Sequence, residues 1–87
     1  MEKRMVNVNG VNYPLHVGHR ALIEFERISG KPFQKAVSME DSVLLMWCAL
    51  KHGAKMVFMT FPLTFEEFID YVDEHPEVMD DTSEKKS

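Results

Sequence analysis

Eighty-seven residues, 45% hydrophobic and 28% charged, suffice for one small core and are too few for a large catalytic cleft, and that balance excludes disordered and collagen-like polypeptides for most of the length. The net charge of -4 is uneven: residues 1–59 carry eight Lys/Arg against five Asp/Glu, whereas residues 60–87 carry two against nine. An acidic end repels phosphate backbones, and the basic residues are scattered without interleaved aromatics, so nucleic acid is not the expected partner.

Met1-Glu2-Lys3-Arg4 leads into Val-Asn-Val-Asn-Gly rather than into an apolar stretch, so no secretory signal is expected. Alternating Met5-Val6-Asn7-Val8, then Asn9-Gly10, then Val11-Asn12-Tyr13-Pro14-Leu15 predicts a β-hairpin from about Lys3 to Leu15, because Asn-Gly tolerates the positive φ of a type I′ turn. Pro14 places the second strand at an edge or ends it. From Gly18 to Ser29, Ala21, Leu22, Phe25 and Ile28 form an apolar stripe at helical spacing, and Gly30 supplies the stop. Lys31 to Val37 reads as a connection or a short helical turn, with Phe33 at the core edge.

Ser38 can cap a second helix, with Asp41 near its positive end. That helix is expected over Met39–Gly53, apolar on every side through Val43–Leu50 and ended by Gly53. Its eight-residue apolar run falls short of the roughly 18 needed to span a membrane. Cys48, the one cysteine, lies inside that run, which excludes an internal disulfide framework and fits a reducing cytoplasm. Ala54–Pro62 follows with no clear period and reads as a short strand or a continued helical turn. Thr64 and Glu67 have the spacing of a capping box, with Leu63 and Phe68 as a hydrophobic staple. Phe65, Phe68, Ile69 and Val72 then mark the inner stripe of a third helix, stopping near His75 because Pro76 follows. Asp80–Ser87 has no apolar residue and reads as a frayed tail. The expected architecture is a single α+β domain over residues 1–79, an antiparallel hairpin packed on about three helices, with a polar tail at 80–87.

Residues His16-Val17-Gly18-His19 resemble the HxGH signature of the nucleotidylyltransferases, with a strand before and a helix after. That resemblance implies histidines holding nucleotide phosphates at a helix N-terminus. Tyr13 stands at the acidic position of the family's pattern, and those enzymes need a parallel sheet of βαβ units of about 30 residues each, for which this chain has no room. His52 and His75 sit alone at predicted helix ends. The histidines and the acidic residues Asp73, Glu74, Glu77, Asp80 and Asp81 lack zinc and EF-hand spacing, so no metal or other cofactor is expected.

Taken together, the Val8-Asn9-Gly10-Val11-Asn12-Tyr13-Pro14-Leu15 hairpin, the run Ala21–Arg27 ending in Ser29-Gly30-Lys31, the acidic-capped apolar helix and the Leu63–Phe68 helix opening resemble the small tail assembly chaperones of long-tailed bacteriophages and prophages. The likeness extends over about residues 5–79. It implies a non-enzymatic adaptor in the bacterial host cytoplasm that coats the helix-rich tape-measure protein until tail-tube subunits polymerise around it. Such a task requires exposed apolar side chains, and Met56, Phe58, Met59 and Phe61 form the expected partner-binding segment, flexible methionines suiting varied partner helices. The alternatives are a nucleotide-binding protein using His16 and His19, and a homo-oligomeric structural protein whose apolar segment is its self-interface.

Overall fold

Asn9 and Gly10 both adopt positive φ, 55° and 83°, as a type I′ turn requires. They join β1 (Arg4–Val8) to β2 (Val11–Leu15) in an antiparallel pair with Val6 opposite Tyr13 and Asn7 opposite Asn12. Val6, Val8 and Tyr13 point into the core, while Asn7 donates to Asn12 across the outer face at 3.0 Å. The structure, a computed structural model, describes residues 4–35 and 38–78. The expected hairpin start at Lys3, the end of the connection at Ala36–Val37, and the polar tail 80–87 lie outside the described residues.

Three helices follow the hairpin: α1 (His19–Ser29), α2 (Met39–Met56) and α3 (Phe65–Glu74), with a 3₁₀ turn at Phe33–Lys35 between the first two. The chain is thus an α+β domain with a two-stranded antiparallel hairpin and three α-helices. Local signals set most of the helix ends. Ser38 accepts from the Asp41 amide at 3.1 Å while the Asp41 carboxylate accepts from the Ser38 amide, and Thr64 and Glu67 make the same reciprocal pair at the start of α3. Gly30, at φ 77°, closes α1 in the left-handed conformation, its amide donating to the Glu26 carbonyl. His75 caps α3 before Pro76.

The second helix has core on two sides, which explains its all-round apolar sequence. Val43, Met46, Leu50 and Ala54 pack with Val6, Tyr13, Phe61 and Phe68, whereas Leu44, Cys48 and Ala49 pack with Ala21 and Phe25 of α1. Leu45 and Trp47 are half-buried. Trp47 spends its N–H on the Leu63 carbonyl at 3.0 Å, tying α2 to the entry of α3.

Two expectations are corrected. Gly53 does not end α2, which continues to Met56. A Cβ at Gly53 would overlap the carbonyl oxygen of Pro14, so this glycine is the place where the hairpin backbone touches the helix. The His16 amide donates to the Ala49 carbonyl at 3.3 Å one turn earlier, fixing the same approach. Ile28, expected on the inner stripe of α1, is 49% exposed; only Ala21 and Phe25 of that stripe are buried, with Leu22 partly so. No helix among the described residues is long and apolar enough to cross a membrane.

Candidate docking surface

Where α2 stops, the chain makes a Schellman closure. The Met59 amide donates to the Ala54 carbonyl at 2.8 Å and the Phe58 amide to the Lys55 carbonyl at 3.1 Å, the paired bonds that satisfy the last helical carbonyls. Such a closure requires a left-handed residue, usually glycine. Here it is Phe58, at φ 61°. Its side chain is 99% exposed, and Met56, Val57 and Met59 beside it are exposed as well. Placing a large side chain there costs about 1–2 kcal/mol of backbone energy, and burial within the described fold returns nothing at 99% exposure.

Phe61 does not share that surface. It is 7% exposed, its ring edge-on to Tyr13 at 5.0 Å and to Phe68 at 5.8 Å, so it anchors the returning chain between hairpin and α3. Of the four residues expected to bind a partner, the structure keeps Met56, Phe58 and Met59 together at the surface and withdraws Phe61 into the core.

Beside this knuckle an open trough of about 780 Å³ runs between α1 and the last turns of α2. Half-exposed Ile23 and Ile28, with Met59 and the largely buried Phe61, supply its apolar lining, and Arg20, Arg27 and Lys55 stand around it. Glu24 is the acidic residue lining it; Lys51 and His52 both reach its carboxylate at 2.7 Å. Burial alone would raise the Glu24 pKa, but the hydrogen bonds and charges of Lys51 and His52 outweigh it and hold the carboxyl below its ordinary range. His52 is therefore a bridging residue between two helices, not an isolated one at a helix end. His75, by contrast, does cap α3, stacked on Tyr71 at 4.3 Å.

No family model, curated protein or solved structure matches this chain.

The trough was hidden in the sequence because its residues come from two helices and a loop. Arg20, Ile23 and Arg27 at i, i+3, i+7, and Lys51 and Lys55 at i, i+4, were the available signal: a mixed basic and apolar face rather than a scatter of charges. His16 and His19 are exposed and line a second open groove of about 470 Å³ with His52, Arg20 and Lys55. The His16 ring lies against Gly18, the residue that opens α1. No group of three or more potential metal ligands occurs among the described residues. Cys48 is fully buried, and burial pushes its thiol up to about 12, which leaves almost no thiolate at neutral pH for nucleophilic work. The arrangement is suited to holding an apolar partner and offers it a positively charged margin.

Proposed function

We propose that this chain is a non-enzymatic binding protein acting as a tail assembly chaperone, which receives apolar segments of the tape-measure protein of a long-tailed phage or prophage. The observation that carries the reading is Phe58: a large apolar side chain, 99% exposed, in a left-handed backbone position where glycine is the unstrained choice. Met56 and Met59 flank it, and flexible thioethers accommodate helices of differing side-chain shape. The resemblance in element order and in the hairpin and helix-entry phrases supplies the biological setting. A host-cytoplasmic location belongs to the same proposal.

Co-expression with the helix-rich tape-measure protein tests it. The client is expected to become soluble and to co-purify with the wild-type chain, and the triple variant Met56→Ser, Phe58→Ser, Met59→Ser is expected to lose it while keeping the wild-type melting temperature within a few degrees. Co-purification undiminished in the triple variant removes the knuckle as the docking site. The groove shared by His16, His19, Arg20, His52 and Lys55 favours one other reading, a nucleotide phosphate site. A rise in melting temperature with ATP and magnesium, abolished in His16→Ala, would replace the chaperone reading with that one.

A further inference from the structure

The trough between α1 and α2 has a charge pattern that the exposed methionines alone do not explain. Arg20, Arg27 and Lys55 make no ion pair among the described residues, although each stands at the margin of the same apolar strip. The acid that could neutralise them, Glu24, is already held by Lys51 and His52. Unneutralised cations around an apolar floor form one half of a complementary surface.

We infer that this trough is the seat of an amphipathic helix from the client, with an apolar stripe that meets Ile23, Ile28 and Met59 and Asp or Glu residues beside the stripe that meet Arg20, Arg27 and Lys55. The inference rests on the proposed function and names the chemistry of the segment bound. Helical dimensions agree. The eleven residues of α1 span about 16 Å, or three turns, so a docked helix of similar length would place two to three apolar residues on the strip. A second copy of this chain is a poorer occupant. Its acidic surface is α3, and none of the exposed large hydrophobics of the described residues lies on that helix, so α3 would bring charge without an apolar stripe. A basic helix would place cation against cation. A phosphate backbone would leave the isoleucines uncovered.

Fluorescence anisotropy with three labelled peptides of about 15 residues provides the test: an acidic amphipathic helix, the same helix with Lys in place of every Asp and Glu, and a scrambled acidic peptide of equal composition. The acidic amphipathic peptide is expected to bind at least about tenfold more tightly than either control, and added salt is expected to weaken it. Reversing the three charges (Arg20→Glu, Arg27→Glu, Lys55→Glu) should transfer the preference to the basic helix. If that variant melts early, Ile23→Ser with Ile28→Ser, at positions already half exposed, should weaken the acidic amphipathic peptide about tenfold. Equal binding of the acidic helix and its scramble would mean charge alone and overturn the inference. So would equal binding of acidic and basic helices, no binding of any peptide, or sedimentation showing a dimer that the acidic peptide does not dissociate. Co-purification of the client lost in the knuckle variant but kept in the charge-reversed one overturns the trough and leaves the chaperone reading. Peptide binding without client co-purification does the reverse.

Discussion

Phe58 occupies a position whose backbone and side chain are in conflict. The Schellman closure of α2 needs positive φ at this residue, and a side chain with a Cβ pays for it in strain of about 1–2 kcal/mol. Because the ring is 99% exposed, removing it deletes almost no packing within the described fold. Phe58→Gly is therefore expected to stabilise the chain by about 1 kcal/mol, part of the strain relief being offset by the greater freedom of glycine in the unfolded state. In a domain of this size that is a rise of about 4–8 °C in melting temperature. Calorimetry checks it, and the same variant should bind client more weakly. A variant that melts lower would mean that the ring packs on something in solution, and the exposed knuckle would have to be abandoned. Phe61, three residues on, behaves in the opposite way. Its ring lies between Tyr13 and Phe68, and nothing in the string Met-Val-Phe-Met-Thr-Phe distinguishes the two phenylalanines, since the difference is made by residues far away in sequence.

At the scale of the elements, α2 and the hairpin meet through a backbone contact at Gly53 rather than through side chains alone. Glycine inside a helix costs about 1 kcal/mol relative to alanine, so on propensity Gly53→Ala would stabilise. The Pro14 carbonyl decides otherwise: the added methyl overlaps it, and either the hairpin must shift or the helix must bend. A net loss of about 2 kcal/mol is expected, read as a lower urea midpoint with unchanged slope; a gain in stability would show that the hairpin does not rest on the helix there. This contact also shows what the sequence could and could not reveal. The turn at Asn9-Gly10, the cap at Ser38, the box Thr64/Glu67 and the stop at Gly30 were legible because each is closed by neighbours within a few residues. Gly53 reads as a stop by the same local rule, and the rule fails because a distant strand requires the missing side chain. The apolar knuckle was legible as a composition, but which of its members face outward was not. The trough depends on α1 lying beside α2, as does the bond of Glu24 to His52, 28 residues apart.

Across the whole molecule, α1 is held to α2 by a thin core layer of Ala21, Phe25, Leu44, Cys48 and Ala49 and by two polar clamps at opposite ends of α2. Near its C-terminal end, Glu24 receives Lys51 and His52; at its N-terminus, Asp41 receives Lys31, which lies just beyond α1, at 2.8 Å. The hydrogen bond from Lys31 is the main reason that the Asp41 carboxyl is held below its ordinary range, against the effect of its burial. Glu24 is lowered too, its two basic partners outweighing desolvation. Both groups thus bind a proton less readily folded than unfolded, so unfolding takes up protons as the pH falls. Their contribution is complete above the ordinary values of 4.5 and 3.8 and is lost as the pH drops through the lower values of the folded state. Acidification from about pH 5.5 to about pH 3 should therefore lower the urea midpoint. Glu24→Gln should be less stable than wild type at neutral pH and show a shallower acid decline, because the variant has no charge to lose at that clamp. A decline equally steep in the variant would place the acid sensitivity elsewhere. Amide exchange locates the effect: since the clamps join α1 to α2, protection in α1 should fall before protection in the hairpin, whose Val6 and Tyr13 are held by apolar packing. The trough has α1 as one wall, so binding of the acidic helix should weaken over the same pH interval, in which the carboxylates of the peptide also take up protons.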